Sequence, residues 1–373
     1  MKKLKANNLV RLLAFFLIAG MLICIVGFSA NGWQSMTEIE SNSGKADIYS
    51  GKADNDKRPT QAPDNTTPIP EINTVKYYDY LTGKEVTLAA STLKKAAILM
   101  RTDSPMYGIS KGDLLIEFPT ESNTSTRLLV YTDSINTLGK IGSIAPTRGY
   151  ISSMIDSFGG ILVASGSDDK IQTVRPDTSG RFFDLSSVSG YSYTEYTDYI
   201  YSNDDLLKAG FANNGFSTTE EPPTDLPFAI STDSDYTLLG ETALSTVTLA
   251  FSGKSTTELC YQSDTKTYLF CKNGSKKSDL LYDKDVCFKN VFILFADSVT
   301  YEYESGSELV MSTNTSGKGY YLRDGVYTEI NWSKDGGGAM HFTNSKGELL
   351  TVGAGNSYIG FLKSSQLSDF KIK

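Results

Sequence analysis

Histidine is nearly missing: the 373 residues hold one, His341. Imidazole is the usual proton carrier near neutral pH and the commonest metal ligand. One ring builds no metal cluster, and no Cys/His spacing of a zinc site occurs. A Ser–His–Asp set, a phosphate loop and a dinucleotide fingerprint are also missing, and no cofactor is expected. His341 follows Gly336, Gly337 and Gly338 and reads as an ordinary surface histidine in a loop. Dense Lys/Arg clusters are lacking after residue 12 and the net charge is −8, which argues against nucleic acid as a partner. Mild acidity of this size is a solubility feature. Cysteine is scarce too. Beyond Cys24 there are only Cys260, Cys271 and Cys287, too few for a disulfide framework. Cys260 and Cys271 flank a stretch that reads as a hairpin turning near Asp264 and Thr265, with the two thiols opposite one another. A cross-strand bond and two small buried thiols both fit that reading.

What is abundant comes first in the chain. Leu12 to Phe28 is an unbroken apolar run preceded by Lys2, Lys3, Lys5 and Arg11. At ~1.5 Å per residue the run spans ~26 Å, close to a bilayer core. Positive charge on its N-terminal side places that end in the cytoplasm and everything after Trp33 outside it. The expectation is a single-pass membrane helix that anchors the protein. A cleaved signal peptide, or lipidation at Cys24 after the large Ile23, are the alternatives. Residues 34–75 are rich in Ser, Asn, Asp, Lys, Thr and Pro and read as a disordered linker. The expected organisation is a basic end with its anchor over 1–33, the linker over 34–75, a mixed α+β domain over 76–228 and a mainly antiparallel β domain over 229–373.

The fold class α+β follows from periodicity. Ala96–Met100, Leu114–Phe118, Leu128–Tyr131 and Ile161–Ala164 are short apolar runs of strand length, bounded by polar and glycine residues. Apolar positions at Ile151, Met154, Ile155 and Phe158 have helical spacing over Tyr150–Phe158, stopped by Gly159 and Gly160. Asp204–Phe211 is a second helix, capped by Asn203 or Asp204 and ended by Gly210. After residue 240, Val247, Leu249 and Phe251 alternate with polar residues, and glycines punctuate the turns. That half predicts a curved sheet or a small barrel. The cluster Glu221, Pro222, Pro223 and Pro227 marks the boundary.

Several strings in fixed order carry a resemblance: Tyr80-Leu81-Thr82-Gly83, Gly108-Ile109-Ser110 before a strand with Glu117, Glu121 to Thr126-Arg127, Gly142 to Thr147-Arg148, and Ala164-Ser165-Gly166-Ser167. Later come Asn273-Gly274, Asn290-Val291, Gly317-Lys318-Gly319-Tyr320 and Trp332-Ser333-Lys334. Over residues 78 to 365 the chain resembles the YerB-like family of bacterial envelope proteins, which have a two-part domain of unknown function. The resemblance implies a fold and no activity. Where that family has a histidine, an arginine and a Pro-His-Asn string, this chain has Ala164, Ala145 and Tyr199-Ile200.

Glu117, Glu121, Arg127 and Arg148 are the candidate ligand-binding residues, expected around one cleft of the first domain. Arg148 lies at the start of a helix, where a guanidinium and free backbone N–H groups together receive an acid. A structural Glu–Arg network is the competing reading. Glu117 and Glu121 also have the chemistry of a glycosidase pair, although Pro119 between them leaves their separation open. Asp168 and Asp169 read as caps of a helix starting near Ile171. Tyr191, Tyr193, Tyr196, Tyr199 and Tyr201 form either a sugar platform or plain strand packing. Trp332 with Lys334 reads as a sheet anchor. The expected function is an extracytoplasmic, membrane-tethered module that binds a cell-wall polymer or an envelope protein. An enzyme acting on envelope glycans through Glu117 and Glu121 is the alternative.

Overall fold

A computed structural model describes residues 75–372 apart from 123, 134, 169, 171–179, 197 and 232–242. The run Leu12–Phe28, the linker up to residue 74, and the helix expected near Ile171 with its cap Asp169 lie outside the described residues. Among the described residues no helix is long and apolar enough to cross a membrane.

The apolar runs pair into one large sheet. Its strands, in chain order, are β1 (Ala96–Arg101), β2 (Leu114–Pro119), β3 (Thr126–Thr132), β4 (Lys140–Ile144), β5 (Ile161–Ala164), β6 (Phe182–Asp184), β7 (Tyr193–Glu195), β8 (Tyr199–Asn203), β9 (Asn290–Ala296), β10 (Ser316–Arg323), β11 (Val326–Lys334), β12 (Met340–Thr343) and β13 (Ser357–Lys363). The order across the sheet is β12-β11-β10-β9-β13-β2-β3-β1-β4-β8-β7. At the other end of β1, β5 pairs beside it and carries β6. Strand β13 lies in parallel between β9 and β2, so the sheet runs unbroken past the proline cluster at 222–227. The described residues are mostly β, richer in strand than the mixed α+β first half that periodicity predicts. The strands after residue 240 close no barrel. Most divide between this sheet and a smaller one built from Thr246–Ser252, Ser255–Gln262 and Thr267–Lys272, with the short strands Ser275–Lys276 and Cys287–Phe288 at its side, and the rest form two-stranded pairs.

Continuous apolar strands mean both faces are covered. On one face, Ile98, Leu115, Val130, Ile293 and Tyr358 pack against Leu249, Leu259 and Phe270 of the smaller sheet. On the other, Leu99, Ile116, Phe118, Leu294 and Phe361 meet the helical segment after Arg148 and the hairpin Ser298–Tyr303/Gly306–Met311. Trp332 belongs to that second core, and its indole N–H donates to Phe295 O at 3.0 Å. Gly317 stands opposite Trp332; a Cβ there would come 2.5 Å from the indole nitrogen.

Three local expectations are corrected. The helix expected over Tyr150–Phe158 is two single turns, α1 (Gly149–Ser152) and α2 (Ile155–Phe158). Ser152 Oγ and Ser153 Oγ donate to Gly149 O (2.9 Å) and Tyr150 O (2.8 Å), competition from hydroxyls that bends and interrupts helices. The second helix, α3 (Asp204–Asn213), is capped by Asn203 as expected but continues through Gly210. That glycine serves packing: a Cβ would lie 2.4 Å from the Phe183 ring. Cys260 pairs with Leu269 and Cys271 with Glu258, so the two thiols sit diagonally rather than opposite. The cause is a four-residue turn, Ser263 to Lys266, centred one position earlier than direct opposition needs. Cys260, Cys271 and Cys287 are free thiols.

The two halves of the chain are also tied by Asp279. Its buried carboxylate accepts from Gly108 N (3.1 Å), Ser110 N (2.9 Å), Ser110 Oγ (2.8 Å) and Leu281 N (2.9 Å). Asp279→Ala leaves those donors without their acceptor and is expected to cost about 2–3 kcal/mol in denaturant unfolding. An unchanged midpoint would contradict that role.

Candidate functional site

Eight strands, β1, β2, β5, β6, β8, β9, β11 and β13, run in one direction. Their carboxyl ends therefore share one edge of the sheet, the edge that carries ligands in open α/β sheets. Arg101 ends β1, Glu121 follows β2 and Asp168 follows β5. The antiparallel β3 begins at this same edge and contributes Arg127, and the turn between β4 and α1 contributes Arg148.

Arg148 is saturated there. Its Nη1 and Nη2 donate to Glu121 Oε2 (2.6 Å) and Oε1 (2.9 Å). Its Nε and Nη2 donate to Asp168 Oδ1 (3.0 Å) and Oδ2 (3.3 Å). Burial disfavours the charge on Arg148, but the two carboxylates outweigh it and raise its pKa. Burial likewise works against an ionised Glu121, and the Arg148 fork more than offsets it, so this carboxyl lies below its ordinary range. The network reading thus describes Arg148 and Glu121, and the helix behind Arg148 is a single buried turn.

Arg127 is different. Its side chain is 12% exposed, and among the described residues its one ion contact is Nη2 to Asp168 Oδ2 at 3.6 Å. Among the described residues its guanidinium donates no hydrogen bond. Burial, and then Arg148 and Arg101, push its pKa down in spite of Asp168. Arg101 stands directly across from it in the β1–β3 pair, an arrangement that costs energy for like charges. Arg101 itself is held in a fork by Asp103, both bonds 3.0 Å, and lies 5.6 Å above the Tyr199 ring. Arg127 is therefore a desolvated guanidinium with donors to spare.

Glu117 does not join this group. The β pleat sends it to the opposite face from Ile116 and Phe118. There it is fully buried and accepts from Lys272 Nζ (2.7 Å), Thr257 Oγ1 (2.9 Å), Tyr358 Oη (2.6 Å) and Thr126 Oγ1. The expectation of one cleft around four residues is corrected accordingly: Glu121, Arg127 and Arg148 converge, and Glu117 is an interior ion pair. Counting alternate positions from Leu115 could have placed it; nothing local identifies Lys272 as its partner.

A further polar cluster lies at the other edge, at the amino ends of β1 and β2. Lys95 is 1% exposed, and its ammonium sits among Asp79, Asp113 (2.8 Å) and Asp133 (3.4 Å). These carboxylates converge closely enough to hold a cation, and the Lys95 ammonium stands where a cation would. Sequence reading missed this set. The one available signal was a lysine directly abutting the apolar run Ala96–Met100.

The other singled-out residues resolve simply. Tyr107 and Tyr201 hold the Lys140 ammonium 4.1 and 4.3 Å from their ring centres, and Tyr193 packs on Tyr201. His341 lies in strand β12 and not in a loop; its Nε2 is 2.6 Å from Asp225 Oδ1. Lys334 Nζ donates to Gly336 O and Gly338 O, both at 2.9 Å. Ala145 and Ala164 are buried among apolar side chains.

Two family descriptions match the chain. "Protein of unknown function (DUF3048) N-terminal domain" covers residues 82–217, and "Protein of unknown function (DUF3048) C-terminal domain" covers 247–359. No curated protein matches. The crystal structure of YerB protein from Bacillus subtilis is similar in fold, with a TM-score of 0.65 at 20% identity, over 77% of this chain and 97% of that one. With both family halves matched in order over the YerB fold, this chain belongs to the YerB-like family of proteins of unknown function (DUF3048).

Proposed function

We propose that this protein is an extracytoplasmic, membrane-tethered module that binds an acidic group of an envelope component, a cell-wall polymer or an envelope protein, at the edge formed by Arg127, Arg148, Glu121 and Asp168. The observation that carries this reading is Arg127, a desolvated guanidinium with one 3.6 Å ion contact and no hydrogen bond among the described residues. A planar fork of that kind takes a carboxylate or phosphate in two parallel bonds. Arg148, locked by two carboxylates, gives the site a fixed wall instead of a second free donor. The run Leu12–Phe28 with its basic flank supports the tether and the orientation.

Glycan hydrolysis through Glu117 and Glu121 has less support. Glu117 is sealed against Lys272, and Glu121, held below its ordinary pKa, is a poor proton donor near neutral pH.

The test is thermal unfolding of the full chain in mild detergent with a panel of acidic and neutral wall fragments. A ligand that binds only the native state raises the Tm by mass action. An acidic fragment should raise it, its neutral analogue should not, and Arg127→Ala should abolish the shift. Equal shifts with neutral fragments, or an undiminished shift in the variant, would overturn the proposal.

A further inference from the structure

A cleft of about 620 Å³ opens where the Gly83 turn, the segment Ile109–Asp113 before β2, the strand Cys287–Phe288 and the Ala354–Asn356 turn meet. Its volume falls within the roughly 300–1,000 Å³ of small-molecule sites. Three lysines line it: Lys84, Lys111 and Lys284. None of their ammonium groups has an ion pair or donates a hydrogen bond among the described residues; Lys111 rests 4.5 Å from the Tyr282 ring centre. Two acids share the lining, Asp113 and Asp285. Both have a cationic partner, Asp285 its own and Asp113 one that it shares with Asp79 and Asp133. Asp113 accepts from buried Lys95 at 2.8 Å, and Asp285 from Lys276 (3.0 Å) and Ser278 Oγ (2.8 Å). The cleft thus holds three positive charges whose neighbouring acids are already engaged.

We propose that this cleft binds a small molecule bearing two or more anionic groups, phosphates or carboxylates, bridged by Lys84, Lys111 and Lys284. Thr82 and Thr267 add hydroxyls to the wall, and Val286 and Phe288 give it an apolar part. Surface lysines that serve solubility have no need to converge on one concavity. Here three segments distant in sequence bring them together. The inference is independent of the Arg127 edge, which lies at the opposite ends of β1 and β2.

The experiment is titration calorimetry of the full chain with tripolyphosphate in one arm and citrate in the other, at low and at moderate salt. Saturable binding of at least one anion is expected, weakened by salt. The triple variant Lys84→Ala/Lys111→Ala/Lys284→Ala should weaken it about tenfold or more, as three screened ion pairs would. Exchanging the exposed Lys254, Lys346 and Lys371 for alanine controls for net charge and should leave binding in place, as should Arg127→Ala. Which arm binds assigns the anionic group. If the triple variant unfolds, the Lys84→Ala/Lys284→Ala pair, which spares the Tyr282 contact, makes the same comparison. Absence of saturable binding in both arms, or an equal loss in the charge control, would overturn the inference.

Discussion

Lys272→Met is expected to destabilise the protein by about 3–5 kcal/mol, because it strands a carboxylate in the interior. Glu117 is fully buried between the main sheet and the smaller one, and Lys272, on the smaller sheet, is 3% exposed. Without the ammonium, Glu117 keeps only Thr126, Thr257 and Tyr358 as donors. For a chain of this size the loss lowers the Tm by roughly 10 °C. Adding Glu117→Gln should recover much of it, since a neutral amide still accepts from those hydroxyls and leaves no charge uncompensated. Differential scanning calorimetry of the two variants checks this. A double variant no more stable than Lys272→Met would mean that packing around Lys272, and not charge, holds the two layers together.

The second large effect is expected at the amino-end cluster. Lys95→Met leaves Asp79, Asp113 and Asp133 facing each other without their cation, again a loss of about 3–5 kcal/mol at neutral pH. The pH dependence separates this from simple repacking. Burial, and then the neighbouring Asp79 and Asp133, push Asp113 up to about 6 in spite of Lys95. A folded-state pKa above the unfolded one means that the native protein binds the extra proton. Stability from this group is therefore present at low pH and lost as pH rises through about 6. Asp79 behaves oppositely. Burial works against its charge, but Lys95 holds its carboxyl below the ordinary range, and its contribution is lost as pH falls through that value. Removing Lys95 takes away the attraction that keeps these acids ionised. Protonation then relieves the variant, and its deficit against the native chain should shrink between pH 7 and pH 5. Denaturant melts at both pH values measure it; a deficit that grows on acidification would contradict the electrostatic account.

The sequence made the strands legible and left their neighbours open. Ala96–Met100, Leu114–Phe118, Leu128–Tyr131 and Ile161–Ala164 are strands because apolar runs of that length, bounded by breakers, have few other options. The parallel alignment of Leu114–Phe118 with β13, and through it with β9, depends on pairing Leu114 with Ser357, far apart in the chain, which periodicity does not encode. The segment Tyr150–Phe158 has helical spacing and still breaks, because Ser152 and Ser153 take backbone carbonyls for themselves. Glu121, Arg127 and Arg148 were legible as a group, since acids and arginines at strand ends have few apolar neighbours to hide among. Glu117 is not legible as a separate residue, because an acid near a strand end looks the same whether the pleat turns it toward the cleft or, as here, to the opposite face. Asp168 was visible as a residue but not as the acid linking both arginines, and Lys95 passed unnoticed beside an apolar run. In each case the missing information was long-range pairing.

The most direct test of the central claim is equilibrium binding of an acidic cell-wall fragment to the native chain, to Arg127→Lys and to Arg127→Ala, each at two salt concentrations. A guanidinium that receives an acid through two parallel bonds predicts measurable affinity in the native chain, a substantial loss in the lysine variant despite its retained charge, and no binding in the alanine variant. Equal affinity in all three would contradict the account and leave the carboxyl-end edge a structural network.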